Sequence, residues 1–358
     1  MFLSKKIRTI EPYVPGEQPR PGSMIKLNTN ENPYPPSKAV KGAILAELEN
    51  LRLYPEINAE RFIQSVAEIE GLRPENVFAG NGSDEVLSFC FPAFFDEKRH
   101  VRFPALSYSF YPSFAQFFSI PYSTAPMKGE DGLDIDVEAL LSGGGVVLAN
   151  PNAPSGRALP LATVRSMAET LLARGEVLVV DEAYYAFGGE SARPLIEEFP
   201  NLLVVRTLSK DHSLAGLRVG YALGDAGLIE GLRRAKDSFN SYPLDCLAIA
   251  AAKAAIEDLE YAKACAERIV ATRDWFYAEA MKRGFIGQNS KTNFLFLRHG
   301  KKQGAWLFEE LKKRRILVRR FGRPEIEDYL RISIGTREQM EELLRALDEI
   351  LNEGGKVL

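Results

Sequence analysis

Two short stretches decide the fold of this chain: residues 177–184 read VLVVDEAY and residues 204–210 read VVRTLSK. Each is an apolar run of strand length that ends abruptly in polar side chains. That pattern is typical of a buried parallel strand whose carboxyl end carries chemistry. One strand end offers the carboxylate of Asp181 and the phenol of Tyr184, and the other offers the amine of Lys210. The sequence therefore predicts a site at one edge of a parallel sheet.

An amine, an acid and a phenol together are the groups that pyridoxal 5'-phosphate requires. A lysine bonds covalently to the aldehyde of this cofactor, an acid keeps its pyridine nitrogen protonated, and a phenol hydrogen-bonds its ring oxygen O3′. Most lysines are solvated surface charges, but Lys210 directly follows an apolar strand. We therefore predict Lys210, Asp181 and Tyr184 as catalytic residues and pyridoxal 5'-phosphate as the cofactor.

The composition argues against several classes of protein. A chain of 358 residues exceeds the size at which one hydrophobic core stops growing, so two domains are expected. The 45 Lys and Arg residues and 48 Asp and Glu residues give a net charge of -3, which offers no basic field for nucleic acid. The three cysteines form no Cys-x-x-Cys pair, so neither a disulfide frame nor a metal site is expected. We expect no secretory signal and no membrane span, and we place the protein in the cytoplasm.

Strand and helix patterns alternate through the middle of the chain. Predicted strands lie at residues 77–79, 145–149, 177–180, 202–205 and 219–223, with helices such as 161–174 between them. This alternation predicts an α/β domain with a mostly parallel sheet covered by helices.

The two ends of the chain are expected to form a second, smaller α+β domain. A Pro-rich arm comes first, and after a helical segment at 244–283 the C-terminal strands are predicted at 294–297, 316–318 and 329–334, with helices at 304–314 and 337–352. We divide the chain into an arm and start of the small domain (1–45), a large cofactor-binding domain (46–273) and a small C-terminal domain (274–358).

Two motifs are candidates for holding a phosphate group. Residues 80–85 read GNGSDE between a strand and a helix, so their backbone N–H groups could bind an anion at the helix start, although a plain N-cap gives the same pattern. Ser209 and Arg218 offer a hydroxyl and a permanently charged fork. Residues 150–156, NPNAPSG, could place an amide beside the cofactor ring, or could be an ordinary turn.

These residues together carry a resemblance to a known family. The chain resembles the fold-type I pyridoxal phosphate aminotransferases, and within them the histidinol-phosphate aminotransferases, over nearly its whole length. The stretches that carry the resemblance are residues 27–34, 53–55, 80–85, 150–156, 181–184, 207–218 and 330–336. The resemblance implies transamination between L-histidinol phosphate and 2-oxoglutarate, giving imidazole acetol phosphate and L-glutamate in histidine biosynthesis.

The resemblance also implies roles for single residues. Lys210 forms the covalent bond to the cofactor, Asp181 contacts the pyridine nitrogen and Tyr184 contacts O3′. Further cofactor contacts are implied for Ser83, Asp84, Tyr108, Ser209, Arg218 and Tyr54, and substrate contacts for Tyr13, Asn30, Tyr54, Asn293, Arg319 and Arg331. Tyr54 matches a residue that reaches into the partner's site, so a homodimer is implied. Two arginines suit an enzyme that alternates between a phosphate and carboxylates, although Arg331 could instead be a structural ion-pair residue.

The sequence departs from the family pattern in two places. Many members have Asn where this chain has Ala153, so either Asn152 supplies the bond to the cofactor or that bond is absent. The aromatic motif at residues 104–111, PALSYSFY, is also altered, and apolar packing is the more common fate of such rings than stacking on a cofactor.

Three alternative functions stay open at the level of sequence. An aromatic amino acid aminotransferase and a decarboxylase of a phosphorylated amino acid use the same scaffold. A non-catalytic cofactor-binding regulator is a third, but it would need a partner-binding segment that the chain does not offer.

Overall fold

The structure is a computed structural model that describes residues 2–10, 16–20 and 22–353. Its strands are β1 (Ile25–Lys26), β2 (Val77–Gly80), β3 (Val101–Pro104), β4 (Tyr122–Ala125), β5 (Met127–Lys128), β6 (Asp134–Ile135), β7 (Gly145–Ala149), β8 (Leu178–Asp181), β9 (Leu202–Thr207), β10 (Gly220–Gly224), β11 (Phe285–Ile286), β12 (Phe294–His299), β13 (Ile316–Leu317), β14 (Arg319–Arg320) and β15 (Tyr329–Ser333).

The α-helices are α1 (Lys5–Thr9), α2 (Lys38–Glu47), α3 (Glu60–Glu70), α4 (Gly82–Phe94), α5 (Phe110–Phe118), α6 (Val137–Leu140), α7 (Leu161–Leu172), α8 (Ala226–Asp237), α9 (Cys246–Glu257), α10 (Leu259–Lys282), α11 (Gly304–Lys313) and α12 (Arg337–Asn352). Short 3-10 turns lie at Leu48–Asn50, Pro74–Asn76, Tyr185–Phe187, Arg193–Glu197 and Pro324–Ile326.

The central sheet has seven strands in the order β2-β10-β9-β8-β7-β3-β4. The strands from β9 to β4 run parallel, and β10 is antiparallel to both of its neighbours. β10 reverses after residues 208–219, which form a loop without a crossover helix and are closed by a hydrogen bond from Leu208 N to Val219 O. In the parallel register Asp181 lies opposite Ala149 and Val205, so the polar ends of β7, β8 and β9 meet at one edge, as predicted.

Helices cover both faces of this sheet, and the residues of β9 show how. Val204 is buried in a core with α2, α3, α7 and α9, while its neighbour Val205 is buried in a core with α4, α5 and α8. Successive side chains of a strand point to opposite faces, so a strand buried on both sides must be apolar throughout. Burying each such side chain stabilises the folded state by about 1.5–3 kcal/mol relative to leaving it exposed.

The small domain contains an antiparallel sheet in the order β11-β12-β15-β14. Its core packs against α10, α11 and α12, and α12 begins at a capping box formed by Thr336 and Gln339. β1 pairs in parallel with β13, so the N-terminal arm joins the C-terminal segment. The predicted domain boundary after residue 273 falls inside α10, which runs unbroken from Leu259 to Lys282.

Within these described ranges, no helix is long and apolar enough to cross a membrane. The same ranges hold no cluster of three His, Cys, Asp or Glu side chains that could bind a metal ion. All three cysteines are buried and unoxidised.

Candidate active site

The carboxyl ends of the parallel strands open into a cavity of about 1000 Å³. Lys210, Asp181 and Tyr184, the three predicted catalytic residues, all line it. Asp181 ends β8, and Lys210 follows β9 in the loop to β10. The cavity therefore lies where the sheet register brings the polar strand ends together.

Lys210 is held from two sides by the N-terminal segment. Its Nζ lies 3.4 Å from the carbonyl oxygen of Thr29, and its own carbonyl accepts a hydrogen bond of 2.9 Å from Asn32 Nδ2. Burial, together with the nearby Arg331 and Arg218, lowers the pKa of the Lys210 ammonium to about 8, while Asp84 and Glu31 oppose the change. Lys210 therefore loses its proton more readily than an exposed lysine does.

Asp181 sits at the floor of the cavity and is buried. Its Oδ2 accepts a hydrogen bond of 3.0 Å from the phenol of Tyr111, and its Oδ1 accepts one of 3.1 Å from the N–H of Ala183. Burial raises the pKa of Asp181 to about 6, and these hydrogen bonds oppose the rise. A buried carboxylate of this kind gains most from a cationic partner such as a protonated ring nitrogen.

A cradle for a phosphate group lies at the start of α4. Arg218 donates from Nη2 to Asp84 Oδ2 at 2.8 Å and from Nη1 to Ser209 Oγ at 3.3 Å. Gly82 has a φ of +82°, and a Cβ there would lie 2.6 Å from Arg218 Nη2. The first N–H groups of a helix have no intrahelical acceptor, so this arrangement of helix start, hydroxyl and guanidinium fits a phosphate dianion. Ser83, in the first turn of α4, also lines the cavity.

Tyr108 and the turn after β7 occupy another wall. Tyr108 lines the cavity, and its phenol donates a hydrogen bond of 2.6 Å to Asp84 Oδ1. Ala153 lines the cavity, but Asn152 is fully buried and is not among the described residues that line it. The Asn152 amide nitrogen donates to Leu106 O at 2.9 Å and to Ser155 Oγ at 3.0 Å. A cofactor contact by Asn152 stays a prediction, made less favourable by these existing bonds.

Four of the predicted substrate residues lie at the cavity or directly behind it. Asn30, Arg319 and Arg331 line the cavity, whereas Asn293 lies behind it and donates from Nδ2 to the Asn30 carbonyl at 3.0 Å. Arg331 donates from Nη2 to the carbonyl oxygen of Asn28 at 2.9 Å.

Two predicted residues lie away from this cavity or outside the described ranges. Tyr54 is 85% exposed, is not among the described residues that line the cavity, and stacks on Tyr242 with ring centroids 5.0 Å apart. Tyr13 lies outside the described residues.

Three functional contacts were missed from the sequence. Tyr111, which the sequence predicts only to pack or to stack, bonds to Asp181; the available signal is its place in the aromatic motif at residues 104–111. Asn32, which holds the Lys210 loop, lies in a stretch that carries the family resemblance but gives no sign of its contact. Arg323 also lines the cavity, and nothing in its polar surroundings distinguishes it from a surface residue.

Comparisons with known proteins agree with this site. The chain matches the aminotransferase class I and II family over residues 22–347. It is 48% identical to histidinol-phosphate aminotransferase 1 of Methylococcus capsulatus, with 98% of each chain covered. It is 47% identical to the histidinol-phosphate aminotransferase of Chromohalobacter salexigens, covering 98% of this chain and 99% of that one. The solved structure of histidinol-phosphate aminotransferase from Sinorhizobium meliloti in complex with pyridoxal-5'-phosphate has a TM-score of 0.83 and 27% identity, covering 92% of this chain and 91% of that chain.

The fold and the cavity define a pyridoxal-phosphate-dependent transferase of fold type I. The chain belongs to the aminotransferase class I and II family and, within it, to the histidinol-phosphate aminotransferases. Its cofactor is pyridoxal phosphate, and the lysine, the buried acid, the phenol and the phosphate cradle are all present for it.

Proposed function

We propose that the protein transfers the amino group of L-histidinol phosphate to 2-oxoglutarate, giving imidazole acetol phosphate and L-glutamate. The observation that carries the proposal is the single cavity in which Lys210, Asp181 and Tyr184 lie together with Arg319 and Arg331. A guanidinium fork pairs equally well with a phosphate and with a carboxylate. One cationic wall can therefore serve both substrates in turn.

Lys210 and Asp181 have separate tasks in this reaction. When bound, pyridoxal phosphate supplies an aldehyde that takes up the amino group and a ring that delocalises negative charge. The Lys210 amine, whose pKa is lowered to about 8, removes the proton from the substrate carbon that bears nitrogen. Asp181 keeps the proton on the pyridine nitrogen, and this cationic partner in turn favours its ionised form.

The remaining residues orient the reacting groups. We assign the cofactor phosphate to Ser209, Arg218 and the backbone N–H groups of Ser83 and Asp84 at the start of α4, and a contact with O3′ to Tyr184. We assign Tyr108 to the face of the ring; its phenol donates a hydrogen bond of 2.6 Å to Asp84. Fixing the ring at both ends holds the substrate carbon within reach of Lys210.

We further infer a homodimer in which Tyr54 reaches the partner's cavity. The surface around Tyr54 supports this proposal because it is apolar and exposed: Leu51 and Leu53, which precede Tyr54 in the chain, and Tyr242, on which it stacks, are all exposed. Contiguous apolar surface of this kind is typical of a protein interface. A cytoplasmic location stays a prediction of the sequence.

An absorbance experiment tests the proposed reaction. The protein loaded with pyridoxal phosphate is scanned before and after L-histidinol phosphate is added, and again after 2-oxoglutarate. We expect the visible band of the lysine-bound cofactor to disappear with the first substrate and to return with the second, with one glutamate formed per cycle.

The other outcomes separate the alternatives. A band that responds to aromatic amino acids but not to histidinol phosphate would make the protein an aromatic aminotransferase. Carbon dioxide release from a phosphorylated amino acid, without use of 2-oxoglutarate, would indicate a decarboxylase. A protein that forms no visible band with the cofactor would refute the assignment of Lys210.

A further inference from the structure

Asn30 stands between the small domain and the cavity in an unusual conformation. It lies between β1 and α2, is buried, and has a φ of +56°. Only a few per cent of residues other than glycine adopt this left-handed conformation, and Asn does so more readily than most because its side chain forms local hydrogen bonds. The contacts of Asn30 therefore show which residue holds it in this conformation and which residue it positions.

Ser333, the last residue of β15, makes two hydrogen bonds with Asn30. The backbone N–H of Asn30 donates to Ser333 Oγ at 2.8 Å, and Ser333 Oγ lies 2.9 Å from Asn30 Oδ1. An amide oxygen can only accept, so the single hydroxyl proton of Ser333 is donated to Asn30 Oδ1 in the second bond. Ser333 thereby fixes both the backbone and the amide orientation of Asn30.

The amide orientation decides the direction of a hydrogen bond at Tyr184. Because Asn30 Oδ1 accepts from Ser333, the other end of the amide, Nδ2, is the end that lies 2.9 Å from the Tyr184 oxygen. An amide nitrogen can only donate, so the Tyr184 oxygen accepts. The phenolic proton of Tyr184 is then not used in this bond and can be donated into the cavity that Tyr184 lines.

The electrostatic surroundings of Tyr184 are consistent with its oxygen accepting the hydrogen bond from Asn30. Burial raises the pKa of Tyr184, and Arg331 and the hydrogen bond from Asn30 oppose the rise. Ser333 itself is buried and is not among the described residues that line the cavity, so it can act only through Asn30.

We propose that Ser333 is a positioning residue that sets the direction of hydrogen bonding at Tyr184, so that Tyr184 donates its proton to the ring oxygen O3′ of the cofactor. The inference rests on the proposed contact between Tyr184 and O3′. A serine in the last position of a C-terminal strand thus controls a proton at the end of a strand in the large domain.

The test is a pH titration of the absorbance of the cofactor-loaded protein, which needs no turnover. A hydrogen bond donated to O3′ favours the less protonated form of the bound cofactor, so loss of the bond moves the absorbance transition to higher pH. We expect Ser333→Ala to move the midpoint upward by about half a pH unit or more, which is a change of about threefold or more in the proton-binding constant. Ser333→Thr, which keeps the hydroxyl, should restore the midpoint.

Two controls separate this inference from the proposed function. Ser65→Ala removes another buried hydroxyl, bonded to Glu257 at 2.8 Å, and should leave the midpoint unchanged. Tyr184→Phe should produce the full upward shift, and adding Ser333→Ala to it should add nothing. A Tyr184→Phe protein with a normal midpoint would refute the O3′ contact itself.

The inference on Ser333 is overturned if Tyr184→Phe shifts the midpoint while Ser333→Ala does not, or if folded Ser333→Thr shifts it as far as Ser333→Ala does. Should Ser333→Ala not fold, Asn30→Asp carries the test. Its carboxylate would accept the Tyr184 proton, so an upward shift is expected there too, and an unchanged midpoint would contradict the inference.

Discussion

The phenol of Tyr111 donates a hydrogen bond of 3.0 Å to Oδ2 of Asp181 at the buried end of the cavity. Both side chains are buried, so this bond and the N–H of Ala183 carry most of the polar stabilisation that the carboxylate has before a cofactor pairs with it. Tyr111 therefore stabilises the ionised form of Asp181, the acid that we propose to pair with the cofactor ring.

We expect Tyr111→Phe to weaken cofactor binding about tenfold, because a hydrogen bond to a charged group contributes about 1.5–3 kcal/mol. Without it the pKa of Asp181 rises further, and less of the carboxylate is ionised to pair with the ring nitrogen. The dissociation constant of pyridoxal phosphate at pH 7, measured by absorbance, checks this. Tyr122→Phe is the matched control, since the Tyr122 phenol accepts a hydrogen bond from Gln116 rather than donating one to Asp181. An unchanged constant in Tyr111→Phe would contradict the role.

The buried carboxylate of Asp181 makes the cofactor-free protein less stable as pH rises. Its pKa is raised to about 6 in the folded state from about 4 when unfolded, so its contribution to stability is fully present below pH 4 and is lost as pH rises through 6. Asp181→Asn should therefore be more stable than the wild type at pH 8, by on the order of 3 kcal/mol, with the difference vanishing near pH 4. Urea unfolding of both proteins across this range measures it. If the free energies of unfolding of the two proteins change with pH in the same way, Asp181 is not desolvated in the folded state.

A substitution at Arg331 separates a role in substrate binding from a structural role. Arg331→Gln should raise the KM for both L-histidinol phosphate and 2-oxoglutarate by about 10–100-fold, because one charge-assisted fork is lost from the cavity. Since Arg331 also lowers the pKa of Lys210, the alkaline shift of the pH–rate profile is a second readout. Arg320→Gln, on the neighbouring strand β14, is the control. A lower melting temperature with unchanged KM values would make Arg331 structural.

The dimer proposal predicts that two inactive proteins rescue each other. Lys210→Ala should reduce turnover by at least about 10⁴-fold, and Tyr54→Ala should impair the partner's site. Mixed and reassociated, they should recover up to about a quarter of wild-type activity, because half the dimers are hybrids and each hybrid keeps one intact site. Recovery should track the dimer fraction measured by light scattering. If every mixture stays inactive while hybrids form, Tyr54 does not serve the partner.

The sequence predicted those parts of the fold and site that arise from local patterns. Apolar runs ending in Asp181 and in Lys210 mark buried parallel strands, because only a strand covered on both faces is apolar throughout. The capping residues of α12 are equally local, and its predicted range of 337–352 is correct. Periodicity indicates where a strand or helix lies, and the polar residues at its end indicate which chemical groups come together in the site.

What the sequence could not supply are contacts between distant residues and the direction of pairing. The β10 pattern is that of any buried strand, and its antiparallel direction follows from a preceding loop that folds back without a crossover helix. The bond from Tyr111 to Asp181 joins residues 70 positions apart, and its geometry depends on how α5 packs on the sheet. Neither feature has a signature in a single sequence.

The hydrogen bonds between Asn30 and Ser333 join residues 303 positions apart. During synthesis, the N-terminal segment leaves the ribosome first, but the strand that holds it is among the last to emerge. Asn30 therefore lacks its hydrogen-bond partner Ser333 while the large domain forms. Because Thr29 and Asn32 of this segment contact Lys210, this lysine gains its final surroundings only when the chain is nearly complete. A fragment that stops before β15 would have the sheet and the lysine, but not the finished site.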